Sequence, residues 1–213
     1  MKNLLITFVL LFVGYETFSQ THLYENPKFN ELTSNHQIIG ILPFKATVKL
    51  RPNQLENVSP EQLVRMEESE GYGIQSALYS WFLKRDKDEP LRIKILDINA
   101  TNTKLNKAGF NLQNYNENSP KELAEILEVD AIIMGTFETT KPMSEGASVA
   151  LGMLVGFWGS TNKAVLNLNI YNGVDGETLV NYNKAVSGSV GSSTEDLVNR
   201  LMRKSSRRIA YTD

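Results

Sequence analysis

The chain has 213 residues, with 22 lysines and arginines against 24 aspartates and glutamates, for a net charge of −2. That balance supplies no global positive field, so nucleic acid is not an expected partner. It contains no cysteine, which excludes disulfides, thiol catalysis and cysteine metal sites, and with them the acylated cysteine that tethers bacterial lipoproteins.

Residues 1–19 read as a signal peptide. Lys2 precedes an apolar run, Leu4 to Val13, too short for a spanning helix, which needs about 20 residues. Thr17 and Ser19 are small residues two apart, suited to cleavage between Ser19 and Gln20. A cleaved signal is preferred to a retained anchor, and it implies export to the periplasm or outer membrane of a Gram-negative-type envelope. The remaining 194 or so residues are enough for one core of ordinary size.

Residues 20–36 are polar and without a period, the pattern of a flexible leader. Gln37 to Phe44 is an apolar run closed by Pro43, the pattern of a buried strand. Lys45 to Val58 reads as a loop. Ser59-Pro60 followed by Gln62 predicts a capped helix, interrupted at Gly71 and Gly73 and resuming through Ile74, Leu78 and Phe82. Leu91 to Ile98 alternates with period two and predicts a second strand; Asn102 to Gly109 predicts a short helix ended by glycine. Ser119-Pro-Lys-Glu122 repeats the capping signature before Leu123, Ala124, Ile126 and Leu127, and Ala131 to Phe137 predicts a third buried strand. Ala164 to Tyr171 and Thr178 to Val186, joined by a turn at Gly173–Glu177, predict a hairpin. Ser193 or Thr194 caps a last helix through Leu197, Val198, Leu201 and Met202. The order predicts a single α/β domain over 37–213: a three-layer-like mixed sheet, parallel at the start, with an antiparallel C-terminal hairpin.

Ile38-Ile-Gly-Ile-Leu-Pro-Phe44, the helix ending Leu78-Tyr-Ser-Trp-Phe82, the run from Ser119 to Gly135 and the turn Asp175-Gly-Glu-Thr178 together resemble the N-terminal α/β domain of TolB. They also resemble the related periplasmic domain of CsgG-type curli secretion proteins. The resemblance spans roughly residues 37–205 and implies a cell-envelope interaction domain rather than a catalyst. CsgG-type proteins are lipidated at a cysteine that this chain lacks, so neither the lipid anchor nor the pore-forming role is carried over.

Candidate chemistry is sparse. Gly71-Tyr-Gly-Ile-Gln-Ser76 has the outline of a dinucleotide loop, but acidic Glu67-Glu-Ser-Glu70 precedes it in place of the required strand. A break between helical segments is the better reading. Gly146, Gly152, Gly156 and Gly159, followed by Lys163, lack the Gly-Lys-Ser/Thr of a Walker loop. His22 and His36, the only histidines, are expected on the solvent-exposed leader, and no metal or cofactor is expected. Asp97, Asp130, Glu138, Asp175 and Glu177 fall at strand ends and turns, where structural roles suffice. A ligand-binding or hydrolytic alternative would use a crevice at the carboxyl ends of the parallel strands, near Phe44, Lys45, Asn99 and Thr101.

Two stretches are candidates for contact with a partner. The first is the apolar, glycine-rich insertion at 144–161, whose Val149, Leu151, Gly152, Met153, Leu154, Val155, Gly156, Phe157 and Trp158 would meet a membrane or a second subunit. As a helix, Ala147 to Trp158 would be only about 18 Å long, so it cannot span alone. As a strand it would put Val149, Leu151, Met153, Val155 and Phe157 on one face. Its alternatives are a loop over the protein's own core or a ligand lid. The second stretch is the basic set Arg200, Arg203, Lys204, Arg207 and Arg208, explained either by the helix dipole or by contact with anionic headgroups or an acidic partner. The expected function is a non-enzymatic exported envelope module that associates with itself, other proteins or a membrane surface.

Overall fold

The computed structural model describes residues 21–56, 58–88, 90–140, 163–187, 194–207 and 211. The strands are β1 (Thr21–Glu25), β2 (Ile38–Ile41), β3 (Lys45–Val48), β4 (Lys94–Ile95), β5 (Ala131–Thr139), β6 (Lys163–Asn172) and β7 (Thr178–Ser187). The helices are α1 (Phe29–Leu32), α2 (Pro52–Leu55), α3 (Pro60–Asp88), α4 (Ile98–Lys107), α5 (Pro120–Leu127) and α6 (Thr194–Ser206).

The strands form one mixed sheet in the order β1-β7-β6-β5-β2-β4, with β3 also paired to β5. Pairings within β2–β5 are parallel, and those of β5, β6, β7 and β1 are antiparallel. Alternation along β6 puts Ala164, Leu166, Leu168 and Ile170 on one buried face. That face meets Ile74, Leu78 and Phe82 of α3 and Leu197, Val198, Leu201 and Met202 of α6. Ile132 and Met134 of β5 point the other way and pack with Leu105 of α4 and Leu123, Ala124 and Leu127 of α5. Helices therefore lie on both faces of the sheet.

Both predicted capping boxes form. Ser59 Oγ accepts from Gln62 N at 3.2 Å while the Gln62 side chain accepts from Ser59 N at 2.8 Å. Ser119 and Glu122 exchange the same pair at 3.2 and 2.7 Å.

Four expectations are corrected. Residues 21–36 are not a leader: β1 pairs with β7, Phe29 joins the core, and His36 is buried with Nδ1 2.8 Å from the Tyr211 hydroxyl. The stretch 45–58 holds β3 and α2, because β3 continues the line of β2 along β5. Between Ile41 and Lys45 the chain takes four steps against three on β5, a bulge that contains Pro43. Thirdly, α3 runs unbroken through Gly71, which is there for space: a Cβ would stand 2.1 Å from the Phe44 carbonyl oxygen. Finally, the alternation of Leu91–Ile98 yields only a two-residue strand. Asp97 Oδ1 instead caps α4, accepting from Asn99 N and Ala100 N at 2.9 and 3.1 Å.

The bulge leaves a gap in the ladder, since Pro43 has no N–H to offer. The Tyr115 hydroxyl fills it, accepting from Gly135 N at 2.7 Å and donating to Gly135 O at 2.9 Å. Burial raises the Tyr115 phenol well above its ordinary pKa, so it stays protonated as a donor.

Candidate interaction surfaces

Of the four residues expected around a crevice at the carboxyl ends of the parallel strands, Lys45 and Asn99 are exposed and the other two are not. Phe44 and Thr101 are fully buried. The Gln75 amide, also buried, donates to Ile41 O at 2.7 Å and exchanges hydrogen bonds of 2.9 and 3.0 Å with Asn102. These bonds tie α3, β2 and α4 together beneath that surface.

The candidate carboxylates are dispersed, each on a structural task. Asp97 caps α4, and Asp130 Oδ2 accepts from Gln37 N and Ile38 N at 2.7 and 2.9 Å. Glu138 pairs with Lys49 at 2.7 Å. Asp175 closes the hairpin turn through Glu177 N, and Glu177 accepts from Asn26 Nδ2 at 2.8 Å. Among the described residues, no three histidines, cysteines or carboxylates converge to hold a metal. Burial pushes the His36 imidazole below its ordinary pKa, against the opposing field of Asp130. Its place between Tyr211, stacked at 6.0 Å, and the sheet is that of a core residue.

The basic helix is amphipathic. Leu197, Val198, Leu201 and Met202 are buried, whereas Arg200, Arg203, Lys204 and Arg207 are exposed; Arg208 lies outside the described residues. Two faces then meet that sequence reading kept apart. Arg203 and Arg207 line a cleft of about 570 Å³ with Trp81, Lys84, Arg85 and Asp88 of α3. A smaller hollow of about 260 Å³ adjoins it, bounded by Trp81, Asp196, Asn199, Arg200 and Arg203. The cleft walls are held together: Trp81 Nε1 donates to Asn199 Oδ1 at 3.3 Å, and Arg85 Nη1 donates to the Ser206 carbonyl. Lys84 Nζ lies 4.8 Å from the Trp81 ring centroid. The spacing 81, 84, 85, 88 on a helix was the signal available for the α3 wall.

The second surface is the far end of the sheet. On the α5 side of the sheet the core stops at Tyr171 along β6. Beyond it Asn167, Asn169, Asn181 and Asn183 form rungs with Thr136 and the buried Met134 on one side and with His22 and Tyr24 on the other. Asn181 Nδ2 donates to Asn167 Oδ1 and Asn169 Oδ1 at 3.0 and 2.6 Å. The edge strand β1 is exposed along all five residues, with Leu23 and Tyr24 43% and 48% accessible. Periodicity missed this strand because it is too short and too polar for a two-residue period to register.

Val149, Leu151, Gly152, Met153, Leu154, Val155, Gly156, Phe157 and Trp158 all lie outside the described residues. The flanks of their segment are adjacent, since Thr139 and Ala164 are cross-strand partners. Among the described residues, no helix is long and apolar enough to cross a membrane.

No protein-family model and no curated protein matches the chain. Among solved structures, the PelC dodecamer from Paraburkholderia phytofirmans matches over 92% of this chain and 99% of its own, at 8% identity and a TM-score of 0.51. The lipoprotein GNA1162 from Neisseria meningitidis matches over 82% and 98%, at 12% identity and a TM-score of 0.48. The likeness to the PelC chain is one of fold: the same mixed α/β arrangement carried by a different sequence.

Proposed function

We propose that the chain is a non-enzymatic module of the bacterial cell envelope that works by associating with copies of itself, and that it is related to the TolB N-terminal and CsgG-type domains. The observation that carries this is β1. It lies at the edge of the described sheet beside β7, is exposed over its whole length, and presents Leu23 and Tyr24 with Glu25 as its one acidic residue and no proline or lysine. Native sheets blunt such edges unless another chain covers them. Cleavage of residues 1–19 would leave β1 one residue from the mature N-terminus. The likeness in fold to a protein solved as a dodecamer supports the reading. The apolar segment 144–161 would add a contact with a neighbouring subunit or a membrane surface, at the end of the sheet where β5 and β6 meet.

Sedimentation equilibrium of residues 20–213 tests the proposal. It predicts an oligomer that Leu23→Lys with Tyr24→Lys converts to smaller species without loss of helix content. A strict monomer at all concentrations, or an oligomer indifferent to both substitutions, would overturn it. Deleting residues 146–159 should weaken the assembly or its flotation with liposomes.

A further inference from the structure

The cleft between α3 and α6 concentrates positive charge on a chain whose net charge is −2. The cleft and its adjoining hollow are lined by Lys84, Arg85, Arg200, Arg203 and Arg207, five cations, against the two carboxylates Asp88 and Asp196. Complementing the helix dipoles accounts for cations in the last turns of both helices. It does not account for their direction. Lys87 and Lys204 also sit in those last turns but line neither hollow, whereas Lys84, Arg85, Arg203 and Arg207 converge from two helices on the cleft and Arg200 lines the adjoining hollow. Among the described residues, no ion pair engages Lys84, Arg200, Arg203 or Arg207. Like charges gathered in this way repel unless an anion joins them.

The frame is already built. Arg85 is tied to the Ser206 carbonyl and Trp81 to Asn199, so the two walls are fixed relative to each other, with Arg203 and Arg207 on the cleft between them. Guanidinium forks match the oxygens of a phosphoryl group two at a time. A volume near 570 Å³ suits a small polar ligand or a headgroup. The half-buried indole of Trp81, on the cleft wall, offers an apolar surface beside the charges.

We infer that the α3–α6 cleft binds a phosphoryl group, held by Arg203 and Arg207 with Lys84 and Arg200 at its rim. The ligand's less polar remainder lies against Trp81. The phosphoryl group belongs either to a soluble phosphate ester or to a phospholipid headgroup, and the site stands independently of self-association.

The test uses residues 20–213 at fixed ionic strength. Calorimetric titration with inorganic pyrophosphate reads the soluble source. Co-sedimentation with phosphatidylglycerol vesicles, against phosphatidylcholine vesicles, reads the headgroup. Binding to at least one probe is expected. Arg203→Gln with Arg207→Gln should weaken it about tenfold or more for each arginine removed, while Lys204→Gln, on the same helix but outside the cleft, should leave it unchanged. All three side chains are exposed, and Arg200→Gln is a second variant should the double one fold poorly. Failure of both probes, or equal weakening by Lys204→Gln, overturns the inference, the latter by showing a diffuse charge effect in place of a site.

Discussion

Replacing Tyr115 with phenylalanine removes one oxygen from the centre of the molecule. That oxygen satisfies two backbone groups at once, the N–H and C=O of Gly135, at 2.7 and 2.9 Å. Both face the bulge, where Pro43 supplies no donor and the Phe44 N–H is turned away to the Gly71 carbonyl at 3.1 Å. Tyr115 is 4% exposed, so water cannot replace the hydroxyl without opening the α5 side of the core. A buried polar group left unpaired costs about 1–3 kcal/mol, and two are orphaned here. The ring stays and leaves no cavity, so the expected loss is about 2–4 kcal/mol, a large part of the 5–15 kcal/mol typical of a domain. Equilibrium urea unfolding measures it: with a slope of about 2 kcal/mol per molar, the midpoint should fall by about 1–2 M at unchanged slope. Tyr72→Phe, on the exposed side of α3, is the control and should shift nothing. A loss below about 1 kcal/mol for Tyr115→Phe would refute the view that the hydroxyl replaces a missing rung of the ladder.

Gly71→Ala should destabilise despite alanine's helix propensity, worth about 1 kcal/mol. The new Cβ would lie 2.1 Å from a backbone oxygen, so a net loss of about 2 kcal/mol or more is expected in the same urea assay. His36 makes stability depend on pH. Its folded pKa lies below the ordinary 6.5, so below 6.5 the unfolded chain binds a proton that the folded chain refuses. Stability should hold above 6.5 and fall as pH drops through that value, by at most about 1.4 kcal/mol per pH unit. His36→Gln should remove this slope between pH 7.5 and 5.5. Ser119→Ala removes the hydroxyl that accepts from Glu122 N and should cost about 1 kcal/mol, visible as a lower thermal midpoint.

The elements legible in the sequence were those whose signal is local. A Ser-Pro pair followed three residues after the serine by Gln or Glu names a helix start whatever the rest of the chain does, and both such starts formed. The hairpin was legible for the same reason: strict alternation along β6 and β7 on either side of a turn. What failed depended on distant partners. Gly71 looks like a helix breaker in isolation and becomes a contact surface only because Phe44 comes to rest on it. The polar run around β1 looks disordered until β7 supplies its hydrogen bonds. Leu91–Ile98 has the period of a strand, but the Asp97 side chain caps the next helix and cuts the strand to two residues.

The candidate site divides along the same line. The basic stretch was visible because its charges are close in sequence, and by itself it said no more than that a helix end carries cations. Its second wall lay more than a hundred residues earlier, in the sequence Trp81 to Asp88, whose mixed charges read as an ordinary helix terminus. Neither wall is a site alone. Packing of α6 beside α3, driven by Leu197, Leu201, Leu78 and Phe82 in the shared core, brings them together. The hydrophobic pattern of α6 determines which of its arginines face the cleft. Burying Val198, Leu201 and Met202 leaves Arg200, Arg203 and Arg207 on the side toward Trp81, while Lys204 points elsewhere. A charge pattern that was ambiguous in one dimension becomes directional once the apolar face is docked, so discrimination between Arg203 and Lys204 tests the fold and the site together.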